Sequence, residues 1–150
     1  MRKFLAVSVV LALVVGGVGC GGTDEAEPGL EGLARGEATG ELGRLVEHFR
    51  ARGLEVADVH PKAYEMVDAA NGIGMDVAGG AVEIYLFDPA TADPATLANL
   101  ERARTEGLWD MGGGFDVAAV VNGNILLLGL QMGMIEHPQR ERVEEVFRSF

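Results

Sequence analysis

The chain has 150 residues with 12 basic and 23 acidic side chains, three histidines and one cysteine, and its net charge at neutral pH is −11. A surface of that sign repels nucleic acid and anionic lipid headgroups, so neither is an expected partner. A single cysteine excludes an internal disulfide, and packing must hold any folded part together.

At the start of the chain, Arg2 and Lys3 precede an apolar run over 4–15 that only Ser8 interrupts, and glycines follow. This is the layout of an export signal. Even a reading from 4 to 18 counts 15 residues, short of the about 20 that a membrane-spanning helix needs. The stretch Gly17-Val18-Gly19-Cys20 then resembles the lipobox of bacterial lipoproteins, with Gly17 where that family usually has leucine. The resemblance implies a signal peptide over 1–19, cleavage before Cys20, and a diacylglyceryl group on its sulfur that anchors the chain outside the cytoplasm. Gly21, rather than aspartate, after the cysteine implies the outer membrane if the cell has two.

A thiolate is the side-chain nucleophile best suited to accept such a group, and each buried methylene contributes about 0.8 kcal/mol of membrane affinity. Three other readings of Cys20 stay open: part of an ordinary signal peptide, a free thiol, or half of an intermolecular disulfide. Loss of Arg2 and Lys3 with the signal would leave 10 basic residues against 23 acidic ones, a mature charge of −13.

Residues 20–37 are rich in glycine and acids, with few large apolar groups, and read as a tether. A single domain is expected over 38–150. Leu42, Leu45, Val46 and Phe49 share one helical face, with Thr39 as the expected cap and Gly53 as the stop. A strand over 54–59 should end at His60-Pro61, and 62–70 is ambiguous, with a short helix as one reading.

Segments 73–77 and 82–87 flank Gly79-Gly80 as a hairpin whose second arm turns Val82, Ile84 and Leu86 to one face. Glu83, Tyr85 and Phe87 should line an opposite, partly wet face. Asp93-Pro94 opens a helix with Leu97, Leu100 and Leu108 as its apolar positions and Gly107 as its stop. Two apolar arms, 117–121 and 125–128, surround Asn122-Gly123, which predicts a type I′ hairpin lying centrally in the sheet.

From Pro138 a last helix carries Val143, Val146, Phe147 and Phe150 on one stripe, with Arg140, Glu144 and Arg148 spaced for i, i+4 pairs. The expected fold is α+β, a mostly antiparallel sheet of about five strands with about three helices packed on it. The turn within 121–128 and the closing segment 137–150 resemble small α+β modules of bacterial lipoproteins to which no activity is assigned.

Beyond the signal, Ser149 is the one serine, so serine and cysteine hydrolase mechanisms lack a nucleophile. No phosphate loop, H-E-x-x-H helix or C-x-x-C pair occurs, and no cofactor is expected. The glycines of 111–115 read as a flexible loop, and Trp109 as a core-rim residue or, if exposed, a ligand anchor.

His48, His60 and His137 read as structural. Met132, Met134 and His137 together form a soft donor set that suits Cu(I), against the alternatives of core packing or a flexible partner-binding surface. Asp110, Asp116, Glu83 and Glu65 are possible members of a carboxylate pair. The expected function is a lipid-anchored extracytoplasmic lipoprotein, acting as a non-enzymatic binding or interaction module toward an envelope protein or small ligand. Periplasmic Cu(I) binding and carboxylate-based hydrolysis are the alternatives.

Overall fold

The computed structural model describes residues 36–150, so the expected signal peptide, Cys20 and the tether as far as residue 35 lie outside the described residues. Gly36 and Glu37 are already hydrogen-bonded to the body, the first to the carbonyl of Lys62 and the second to the side chain of Asn71. Helix α1 (Gly40–Ala51) buries Leu42, Leu45, Val46 and Phe49, as the spacing requires. Thr39 stands at its N-cap in an extended conformation, but its hydroxyl makes no capping bond.

Strand β1 (Val56–Pro61) starts two residues later than expected and runs through His60-Pro61 rather than stopping there. A bulge between Ala57 and His60, with Asp58 at φ +48°, shifts the side-chain alternation. Proline is tolerated because β1 is an edge strand. The ambiguous stretch contains one 3₁₀ turn (Tyr64–Val67).

Strands β2 (Asn71–Val77) and β3 (Gly80–Leu86) form the expected hairpin, but its two-residue turn is Ala78-Gly79. Both have positive φ, +49° and +83°, the pattern of a type I′ turn. Helix α2 (Pro94–Glu106) begins as predicted. The Asp93 carboxylate accepts from the Thr96 amide at 2.7 Å, and Gly107 closes the helix at φ +71°. Leu108 is not a helical residue; it opens β4 (Leu108–Asp110), a three-residue strand too short to show a period.

Strands β5 (Asp116–Asn122) and β6 (Ile125–Leu128) form the second hairpin, with Asn122 paired to Ile125. The turn is therefore Gly123-Asn124, one residue later than expected. Only Gly123 of the two has positive φ, which matches type II′ rather than I′. A small hairpin of β7 (Gln131–Met132) and β8 (Ile135–Glu136) follows, and α3 (Arg140–Arg148) ends the chain. Glu144 pairs with Arg148 as predicted, but Arg140 turns to Glu136 and Gln131 instead.

The fold is α+β. Six strands in the order β1-β2-β3-β6-β5-β4 pair antiparallel throughout. The two apolar arms predicted to lie inside the sheet do so: β6 is buried along its whole length beside β3.

On one face, α1 and α3 pack Phe49, Val143 and Phe147 against Ile73, Ile84 and Leu127. On the other, Leu100 and Ala103 of α2 cover Tyr85, Phe87, Trp109 and Leu126. The face expected to be partly wet is thus dry where α2 lies on it, because Phe87 and Trp109 supply large apolar area there. Phe150, assigned to the core stripe, is instead partly exposed and sits edge-on to the His48 ring.

Two outcomes follow for urea denaturation. Phe147→Ala removes a wholly buried ring and should cost about 3–5 kcal/mol of stability. Ala78→Gly should raise stability by roughly 0.5–1 kcal/mol, since relief of the left-handed alanine outweighs the added unfolded-chain entropy. An unchanged or lower midpoint for Ala78→Gly would show that its backbone is not strained.

Candidate functional site

Helix α2 covers only part of its face of the sheet. Over the rest lies an open cleft of about 230 Å³. Leu128 of β6 and Val117 of β5 supply apolar lining, and Met111 and Met132 come from the two loops at its border. His60, Lys62 and Glu83 make its polar side.

That polar side depends on a gap in β2. A Cβ at Gly74 would lie 2.5 Å from the His60 ring and 2.8 Å from Cε of Lys62. With no side chain there, both residues fold down over β2. Lys62 then reaches across the strand to Glu83 on β3, Nζ to Oε1 2.6 Å.

Tyr85 donates its hydroxyl to the other oxygen of Glu83 at 3.0 Å. Burial first, and the Glu83 charge second, push this phenol well above its ordinary range, so it remains a donor. Nδ1 of His60 lies 2.6 Å from the Asp58 carbonyl. A carbonyl only accepts, so Nδ1 carries a proton and donates it there. The β1 bulge brings this ring over Gly74.

The other predicted residues go to separate places. His137 is buried, with Nε2 donating to the carbonyl of Val77 at 2.9 Å and Nδ1 accepting from the amide of Gln139 at 3.1 Å. Both ring nitrogens are engaged, and the ring lies on Gly80, where a Cβ would sit 2.4 Å away. Met132 and Met134 are exposed on the β7–β8 hairpin. In this arrangement His137 has no lone pair to give to a metal beside them. Trp109 is buried against Phe87, the core-rim reading rather than the exposed anchor.

Among the carboxylates, Asp110 and Asp116 are direct partners across β4 and β5, a juxtaposition the sequence did not indicate. Asp116 takes a two-point salt bridge from Arg102, 2.7 Å to each oxygen, which holds its carboxyl below the ordinary range. Asp110 accepts from the amide of Gly112. A pair working as acid and base needs one carboxyl kept protonated, the reverse of what Arg102 does to Asp116. Glu83 belongs to the cleft, and Glu65 is exposed on the 3₁₀ turn.

A contact 101 residues apart joins His48 to Ser149, Nε2 to Oγ 3.1 Å. The same nitrogen lies 3.1 Å from the Val146 carbonyl, so it carries the proton and cannot serve as base toward the hydroxyl. The serine donates to that carbonyl too, at 2.8 Å. The trio fastens α1 to the end of α3.

No family model, curated protein or solved structure matches the chain. Among the described residues, no helix is long and apolar enough to cross a membrane, and no group of three histidine, cysteine or acidic side chains is placed to hold a metal ion.

Because Arg102 lowers the folded-state pKa of Asp116, the stability it contributes is present above the ordinary carboxyl value of 3.8 and is lost as pH falls through the folded value. Acidifying from pH 5 toward about pH 2 should therefore lower the thermal midpoint more in the wild-type chain than in Asp116→Asn. Parallel pH profiles for the two would show that the pair contributes nothing to acid sensitivity.

Proposed function

We propose that this protein is a lipid-anchored extracytoplasmic lipoprotein whose domain is a non-enzymatic binding module, with the cleft beside Lys62 and Glu83 as its binding site. The observation that carries the reading is a cleft with buried Leu128 and half-buried Val117 in its apolar lining, bordered by unbranched methionines and closed on one side by a hydrogen-bonded Lys62–Glu83–Tyr85 group. An apolar surface with a few convergent polar groups is the usual form of a small-ligand site, and methionine adapts to varied shapes. The ligand it suits is a small molecule with an apolar body and a polar end that exchanges hydrogen bonds with the Lys62–Glu83 pair.

Three features support the non-enzymatic reading. The proton on His48 faces Ser149, Asp116 is tied up by Arg102, and both nitrogens of His137 serve the backbone. The anchor rests on the signal layout and on Cys20.

Membrane fractionation of cells expressing the full chain tests the anchor. The wild type should sediment with membranes and Cys20→Ala should not; identical fractionation would remove the lipid attachment. For the site, an environment-sensitive apolar dye should brighten on binding, and Ala81→Phe, which projects a ring from a cleft position, should abolish the effect with the unfolding midpoint unchanged. Dye binding that survives Ala81→Phe would place the apolar site elsewhere.

A further inference from the structure

Three side chains form the polar edge of the cleft, His60, Lys62 and Glu83, and each has already spent part of its hydrogen-bonding capacity. The Lys62 ammonium has three N–H donors, and among the described residues it has one partner, Oε1 of Glu83 at 2.6 Å. Two donors are left. Glu83 accepts at both oxygens, from Lys62 at Oε1 and from the Tyr85 hydroxyl at Oε2, 3.0 Å away. Tyr85 is itself buried and spends its proton there. His60 spends its Nδ1 proton on the Asp58 carbonyl. The unspent capacity at this edge is therefore chiefly that of a donor, and it sits on Lys62.

Charge narrows the choice of ligand further. Lys62 and Glu83 are 33% and 38% exposed, so water screens the pair only in part, and it presents both signs side by side. A carboxylate that reached Lys62 would lie beside the Glu83 carboxylate, on a chain whose net charge of −11 already repels anions. An ammonium that reached Glu83 would lie beside Lys62 and bring more donors to a place where donors are in excess. Either charged end meets a like charge within one ion pair. An uncharged oxygen meets neither and takes up a proton of Lys62.

Volume limits the size. At about 230 Å³ the cleft is smaller than the roughly 300–1,000 Å³ of sites that take drug-sized ligands. Its apolar lining of Leu128 and Val117, with Met111 and Met132 at the border, has room for a short apolar body only.

We infer, resting on the binding-module reading of this cleft, that its ligand is a small uncharged molecule with a short apolar body and a carbonyl or hydroxyl oxygen that accepts a hydrogen bond from Nζ of Lys62. Glu83 holds the ammonium across β2 and cancels its charge, so the pair works as a filter that turns away carboxylates and amines of the same size. Neither residue could do this alone. Without Glu83 the edge would be a cation and would select anions, and without Lys62 it would be an anion and would select cations.

The test titrates the full chain with three molecules of equal carbon number, methyl pentyl ketone, heptanoate and heptylammonium, and follows the ligand signals by saturation-transfer NMR. The ketone should bind tightest. Two variants should then change the order in opposite senses. Glu83→Gln keeps an acceptor for Tyr85 but removes the countercharge of Lys62, so heptanoate should gain about tenfold and overtake the ketone. Lys62→Met leaves the Glu83 charge alone, so heptylammonium should gain about tenfold while the ketone loses a similar factor with its donor. Each variant tests the filter without the other.

Tightest binding of heptanoate or heptylammonium by the wild type, or equal affinity for all three, overturns the inference, and it leaves the cleft as the binding site where Ala81→Phe abolishes that binding. A ketone preference that neither variant alters also overturns it. No binding of any of the three, or binding that survives Ala81→Phe, overturns the inference together with the cleft reading.

Discussion

The β3–β6 ladder at the centre of the sheet sets the demands on the rest of the molecule. Strand β6 is apolar at each of its four positions and buried throughout, and β3 places Val82 and Ile84 on one face with Tyr85 on the other. A strand pair that is apolar on both faces must be covered on both. The chain meets this by sending α2 across one face on its way from β3 to β4 and laying α1 and α3 over the other. Each wholly buried large side chain in these layers contributes about 1.5–3 kcal/mol, so the covering layers account for much of the stability of a domain with no disulfide.

The cleft is a consequence of unequal cover. Two helices share one face, while the other has a single helix and a 3₁₀ turn, and the half nearer β1 is left to side chains. There the glycine at position 74 removes the one Cβ that would hold His60 and Lys62 away from the sheet. The same arrangement supplies an apolar floor and a polar edge. Tyr85 links the two, since its ring lies in the α2 core and its hydroxyl meets Glu83.

Much of the fold was legible because it rests on neighbours in the chain. The stripe of Leu42, Leu45, Val46 and Phe49, the Asp93-Pro94 start and the apolar arms of β5 and β6 each follow from a local period or a local cap. Turn placement slipped by one residue in both hairpins. The composition of Gly79-Gly80 and Asn122-Gly123 marks a turn, but cross-strand pairing decides which two residues occupy its centre. Strand β4 was missed because three residues carry no period, and Leu108 was drawn into the preceding helix although Gly107 had already ended it.

The sequence by itself determined the α+β class, the three helices, the central place of the apolar hairpin and the strong acidity, because periodicity, caps and charge are properties of short segments. Only the tertiary structure decided where each candidate side chain ends up. It put His137 under the β2–β3 turn with both nitrogens engaged, set Asp116 against Arg102, brought Ser149 to the protonated nitrogen of His48, and left Met132 and Met134 outside. The cleft draws its lining from β1, β2, β3, β5, β6, β7 and the segments that join them, and no local pattern relates residues that meet only after the sheet has closed.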